Sequence, residues 1–276
     1  MEHLDALQKS LSGMAVMSTH PRDFVPVLGM AEEKSLTIQP CLGVHPWFLN
    51  EIGEEDWSCD DSGLPKWVAS LGALLLAYPQ VVVGEIGLDG FHFDPVTKDL
   101  TTSMKKQVAA FRFQLDLATK HQRPVSIHCV RAVGKMMDTI QEVYRENNRL
   151  PPKLYFHAFG GKASTATQII KTLEKSKQKK NQSTPPVTPT TCYFGFAPII
   201  NFQSPKTMEV IRTVGLERLV LETDHEDVRN VPSSMALGIK EISKALDVTE
   251  EILIRKTNEN VRDLYGLSQQ QKLDCS

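Results

Sequence analysis

The sequence predicts an α/β fold of the TIM type, a (β/α) barrel. Three observations carry the prediction: short β-rich apolar runs alternate with longer amphipathic segments, seven such runs are recognisable, and 276 residues suit one barrel of about 250. The runs are Ala15 to Ser18, Thr37 to His45, Val81 to Asp89, Pro124 to His128, Lys153 to Phe159, Cys192 to Pro198 and Arg218 to Asp224. Between them, segments such as Ser103 to His121 and Val133 to Asn147 repeat apolar residues at helical spacing. Strand followed by helix implies parallel strands with crossover helices, as a doubly wound sheet or a closed barrel. A closed barrel needs eight strands. The chain opens on helix-like Leu4 to Leu11, which leaves no strand in front, so the first stave is expected to be missing. That gap predicts a start at an internal methionine, from an alternative start or an incomplete gene model.

Residues 1–276 are read as one barrel domain with two departures from the pattern. Glu174 to Thr191, lysine-rich and then rich in Ser, Thr and Pro, has nothing with which to build a core and predicts a flexible loop insertion. Lying between a helix and a strand, it belongs on the N-terminal face, away from the face where barrels place their chemistry. The polar stretch 268–276 predicts a frayed tail.

Lys and Arg total 31 against 33 Asp and Glu, so no overall basic field gathers polyanions at long range, and any nucleic-acid contact must be local. Five dispersed cysteines form no C-x-x-C pair and follow no secretory segment, which fits an intracellular protein, cytoplasmic or nuclear. The longest apolar stretches fall short of the roughly 20 residues that cross a bilayer, so no membrane association is expected.

Four predicted strands finish in a residue able to bind a metal: Glu85, His128, His157 and Asp224. In a parallel barrel all carboxyl ends open on one face, so these distant residues converge. Two imidazoles and two carboxylates form a credible shell for a divalent cation, which makes hydroxide available near neutral pH. A lone strand-end histidine is more often structural; four such residues together are not so easily explained. Gly84, Gly87 and Gly90 form no dinucleotide fingerprint, since the spacing is G-x-x-G-x-x-G and no helix opens within it. Gly84 is read as allowing a close backbone approach while Glu85 points into the site. Oxygen donors favour Mg or Mn and imidazoles suit Zn, so one or two divalent cations are expected without a choice among them.

Gly43-Val44-His45-Pro46, Gly84-Glu85-Ile86-Gly87-Leu88-Asp89, His128-Cys129, Phe156-His157-Ala158-Phe159 and Glu222-Thr223-Asp224, in this order, resemble the TatD-related deoxyribonuclease family from about Ala15 to Leu267. The resemblance implies a metal-dependent barrel hydrolase acting on phosphodiester bonds of DNA, of 3′ to 5′ exonuclease type, with single-stranded ends as its substrate. It also implies that Glu85 bridges two cations, that His128 and His157 bind one and Asp224 the other, and that His45 lies near the scissile phosphate. Two departures from the family pattern stand out. Arginine falls three residues after His128, at Arg131, rather than two, and Arg131 is read either as a phosphate ligand or as a surface ion pair. The Asp-x-His-x-His strand that opens many members is absent, and His3 has no apolar strand to aim it. Two other readings stay open: a hydrolase of a cyclic amide or lactone, and a catalytically impaired barrel serving as a binding or scaffold protein.

Overall fold

The computed structural model describes residues 11, 13–32, 37–61, 63–176 and 190–267. Seven strands form one parallel sheet whose spatial order is the chain order: β1 (Gly13–Met17), β2 (Thr37–Leu42), β3 (Val82–Asp89), β4 (Val125–Val130), β5 (Lys153–Phe156), β6 (Thr191–Phe196) and β7 (Leu219–Leu221). A doubly wound sheet reverses its strand order at a switch point, and this one never does. With right-handed crossovers throughout, the connecting helices fall on the same outer side and the sheet curls. The result is a TIM-type half-barrel. Among the described residues β1 pairs only with β2 and β7 only with β6, so the wall is open between them. The predicted helix Leu4 to Leu11 lies, but for its last residue, outside the described residues.

The helices are α1 (Phe24–Ala31), α2 (Glu54–Trp57), α3 (Lys66–Ala77), α4 (Met104–His121), α5 (Val133–Asn147), α6 (Ala163–Ser176), α7 (Pro198–Asn201), α8 (Thr207–Val214), α9 (Val231–Leu246) and α10 (Glu250–Tyr265). None among the described residues is long and apolar enough to cross a membrane. Helix α4 begins where Ser103 accepts the Lys106 N–H and ends at Gln122 in the left-handed region. Its apolar stripe, Phe111, Leu115 and Ala118, packs on the sheet with Trp67, Leu71 and Leu75 of α3 and Met136, Ile140 and Val143 of α5.

Successive strand residues face opposite ways, which separates two layers of packing. Phe156 and Phe194 stack 5.2 Å apart within the large core beneath the helices. Their neighbours Tyr155 and Tyr193 instead meet Val220 and Leu264, so the end of α10 covers the inward face of the sheet. Part of the half-barrel's interior is thus filled by the C-terminal helix.

The predicted boundaries need three corrections. The insertion Glu174 to Thr191 is too wide: Glu174 lies in α6, where its carboxylate accepts from Arg218 at 2.8 Å, and Thr191 opens β6, while 177–189 and the tail 268–276 lie outside the described residues. The run Thr37 to His45 stops being strand at Leu42, because the chain turns at Pro46. Glu85 and His128 do not end their strands but lie within β3 and β4, while His157 and Asp224 fall one and three residues beyond β5 and β7.

Two buried glutamines on α4 hold the loops that carry the site. Gln114 accepts the Val44 N–H at 2.7 Å and donates to the Val44 carbonyl at 3.2 Å; Gln107 accepts the Asp89 N–H at 2.7 Å and donates to the Asp89 carbonyl at 2.9 Å. Seven residues apart, they share one helix face. Gln114→Leu leaves a buried N–H and a buried carbonyl without partners and is expected to destabilise the protein by about 2–4 kcal/mol. Urea unfolding followed by circular dichroism should show a lower midpoint at constant slope, and an unchanged midpoint would contradict the clamp.

Candidate metal centre

The site begins with a β-bulge. Val83 pairs with Val125 and Ile86 with Ile127, so three steps along β3 match two along β4, and Glu85 sits in the surplus. Such a bulge re-aims a side chain. It brings the two backbones so close that a Cβ on Gly84 would lie 2.7 Å from the Ser126 Cβ, which only glycine avoids. The expected role of Gly84 is therefore met, and the buried Glu85 carboxylate faces inward.

Three imidazoles surround that carboxylate. Glu85 Oε1 lies 3.1 Å from His128 Nδ1, 3.7 Å from His45 Nε2 and 3.8 Å from His157 Nε2. His157 Nε2 is also 3.0 Å from Asp224 Oδ1. All four residues expected to share a cation thus form one connected cluster, with His45 beside it. Ligand-type atoms of His45, Glu85 and His128 lie within 4.8 Å of one another, and His157 and Asp224 lie outside that compact trio among the described residues.

The second nitrogen of each histidine decides what the first can do. His128 Nε2 is 3.0 Å from Asp89 Oδ2, and His157 Nδ1 is 2.7 Å from Glu222 Oε2. A carboxylate that takes one ring N–H fixes the tautomer and leaves the other nitrogen's lone pair for a metal. With a cation in place, that rule would leave His128 Nδ1, facing Glu85, and His157 Nε2, facing Asp224 and Glu85, as the ligand atoms. His45 is different. Its Nδ1 accepts the Trp47 N–H at 3.3 Å, so the neutral ring carries its proton on Nε2 and faces the centre as a donor.

Asp89 and Glu222 were not singled out from the sequence, although both stand in the motifs that were. Buried at the end of β3, Asp89 accepts from Trp47 Nε1 at 2.7 Å through Oδ2 and from the Phe91 and His92 N–H groups at 2.7 and 2.9 Å through Oδ1. Glu222 accepts the Ala158 N–H at 2.7 Å and the Tyr155 hydroxyl. A Cβ on Gly195 would come within 2.5 Å of the Glu222 carboxyl carbon, so β6 needs glycine beside it. The available signal was the excess of carboxylates over ligand positions within Gly-Glu-Ile-Gly-Leu-Asp and Glu-Thr-Asp.

The electrostatics follow from this packing. Burial opposes ionisation of Glu85, yet the surrounding histidines pull its pKa well below the usual carboxylate range. Burial would likewise lower the His157 pKa, but the charges of Glu222 and Glu85 carry it well above the ordinary imidazole value. His128 is raised against burial by its hydrogen bonds to Asp89 and Glu85. Burial dominates at His45 and pushes its pKa down to about 3, which keeps that ring neutral.

Arg131 does not join the cluster. In the left-handed region at φ 52°, it lays its guanidinium 3.9 Å above the Phe91 ring, and among the described residues it makes no ion pair. Among the aromatics near the mouth, Phe159 is core, whereas Trp47 and Phe91 are exposed on the rim.

Comparison with known proteins agrees with this architecture. The chain is 23% identical to the Cut9-interacting protein scn1 of Schizosaccharomyces pombe, covering 91% of this chain and 90% of that one. It is 24% identical to human deoxyribonuclease TATDN3, over 95% of this chain and 88% of the relative. The crystal structure of YJJV, a TATD homolog from Escherichia coli, superposes with a TM-score of 0.72 at 22% identity, covering 97% and 93% of the two chains. Residues 2–266 match the family described as TatD related DNase, and the chain belongs to that family.

Proposed function

We propose that this protein is a divalent-cation-dependent phosphodiesterase of deoxyribonuclease type, acting 3′ to 5′ on single-stranded ends of DNA inside the cell, in the cytoplasm or nucleus. One observation carries the reading: the imidazoles of His128 and His157 each have one nitrogen tied to an outer carboxylate and the other turned toward Glu85. A purely structural cluster has no need to gather imidazoles, each backed by an outer carboxylate, around a further buried carboxylate, an arrangement that is costly unless the charges are compensated. The intracellular placement is supported by Cys41, Cys59 and Cys129, none of which is in a disulfide.

In this reading Glu85, His128 Nδ1 and His157 Nε2 hold one cation, and Asp224 with Glu85 holds a second, weaker one or orients the attacking water. The donor set suits Zn through its imidazoles and Mg or Mn through its carboxylates. A cation there supplies Lewis acidity and a hydroxide near neutral pH. His45, neutral and carrying its proton on Nε2, donates to a phosphoryl oxygen as charge grows on it. Trp47, through Asp89, keeps the His128 ring in its tautomer. Arg131, on the rim, pairs with a phosphate of the bound strand.

A cyclic amide or lactone substrate is disfavoured, since none of the seven strands ends in a lysine that could be carboxylated. A binding or scaffold role has one observation in its favour, the open edges of β1 and β7, which could pair with another chain. Metal analysis of the purified chain with chelator-controlled assays on single-stranded DNA separates the readings. Cation near unit stoichiometry with chelator-sensitive cleavage is expected; cation without cleavage of DNA points to another substrate, and neither points to the scaffold.

His157→Ala should abolish cation binding while the far-ultraviolet spectrum is retained, and unchanged metal content would refute the ligand set. Glu222→Gln, which removes the charge behind His157 while leaving an amide to bond Ala158 and Tyr155, should reduce cation affinity about tenfold. The raised His157 pKa has a further consequence. In the metal-free protein the His157 proton stabilises the fold fully below the ordinary value of 6.5, and this contribution is lost as pH rises through the elevated folded value. Cation binding must expel that proton, so affinity should climb with pH across the neutral range. Titration calorimetry at pH 7 in buffers of different ionisation heat should report about one proton released per cation. Buffer-independent heats would contradict the assignment.

A further inference from the structure

The loop after β3 presents two large aromatic rings to solvent beside the metal centre. Phe91 is 50% and Phe93 45% exposed, and they meet edge to face with centroids 5.7 Å apart. Burying such rings is worth far more than leaving them in water, so their exposure calls for a partner. The loop is not slack. The Asp94 N–H donates to Asp99 at 2.8 Å and the Thr101 N–H to His92 at 3.0 Å, closing a hairpin, and Asp89 Oδ1 grips its root at the Phe91 and His92 N–H groups. The same Asp89 carboxylate holds His128 through its other oxygen, so one side chain fixes the distance between the rings and the centre. Trp47, 39% exposed, stacks on His92 at 4.3 Å with 17° between the planes and extends the aromatic surface toward His45.

Charge completes the pattern. The Arg131 guanidinium covers one face of Phe91 at 3.9 Å and has no carboxylate partner among the described residues, which leaves its donors for an anion. A row of exposed rings with a cation beside them, continuous with a centre that takes a phosphodiester, matches the chemistry of an unpaired nucleotide: a flat π-face next to a phosphate.

We infer that Phe91 and Phe93, with Arg131, form a ledge on which an unpaired base of a single-stranded nucleic acid stacks while its neighbouring phosphate lies at the Glu85 centre. The inference rests on the phosphodiesterase reading and adds a substrate feature to it. A duplex end keeps its bases stacked on one another, so the ledge selects frayed or single strands. Because every base has a π-face, it selects without regard to sequence.

The test compares two probes of equal charge, a fluorescent oligodeoxythymidine eight nucleotides long and an abasic oligomer of the same length, binding the full chain in EDTA by fluorescence anisotropy. Wild type should bind the thymidine probe at least about tenfold more tightly than the abasic one. The double variant Phe91→Ala with Phe93→Ala should fall to the abasic level on the first probe and be unchanged on the second. The variant with leucine at both positions, which keeps apolar bulk and guards against misfolding, should lose the same preference. Equal affinity of wild type for both probes, or equal loss of both in the variants, overturns the ledge. Turnover of methyl p-nitrophenyl phosphate with Mn²⁺ is read separately. Its absence counts against the phosphodiesterase reading, whereas turnover in wild type and variants alike without base-dependent binding removes the ledge alone.

Discussion

A single ionised carboxylate, Glu85, sets the terms for the mouth of this half-barrel. It lies inside a strand whose eight residues are all buried, where an isolated charge would cost several kcal/mol. Its ionised form survives because imidazoles from the end of β2, from β4 and from the end of β5 all face it. That arrangement constrains much else: the bulge in β3, the glycine at position 84, and the two glutamines of α4 that fix the backbone at Val44 and Asp89. Each would be a defect in an ordinary strand or helix, and each is explained by the need to bring side chains from separate strands to one point.

Much of this was legible in the sequence, for a definite physical reason. Parallel strands covered on both faces read as continuous apolar runs, and a polar residue at the end of such a run is conspicuous. Val133–Asn147 is a helix with the predicted bounds because its apolar stripe is strong. What the sequence could not give was the division of labour among carboxylates. Asp89 is in the same motif as Glu85, and Glu222 is two residues from Asp224; only coordinates reveal which oxygens reach the outer nitrogens of the histidines. The bulge is equally silent, since it depends on how β3 lies against β4. The filling of the interior by Leu264 and its neighbours is a tertiary fact, invisible in a helix read as simply amphipathic.

The protonation pattern reinforces the distinction between the histidines. His45 is buried against Trp47 and Phe48 and is kept neutral by desolvation. His128 and His157, flanked by carboxylates on both sides, are held toward the cationic form. In the absence of metal, the His157 proton therefore sits where a divalent cation would bind and offsets part of the carboxylate charge. That offset lowers the cost of gathering these carboxylates before any metal binds.

Among the described residues the wall is open between β1 and β7, and this does less harm to the centre than strand counting suggests. Glu85, His128 and His157 come from β3, β4 and β5, each hydrogen-bonded to a strand on both sides, so their positions are fixed by the continuous part of the sheet. Asp224 is the exception. It follows the edge strand β7, takes a left-handed φ of 55°, and keeps a third of its side chain in solvent. The contributors to the centre thus differ in how firmly they are held: three are fixed by paired strands, the two histidines among them by outer carboxylates as well, and one is carried on an edge. A two-cation site built this way would be asymmetric from the start, with a rigid pocket around Glu85 and a yielding one toward Asp224. The asymmetry is a property of the sheet's topology, and it would persist whichever metal the donors select.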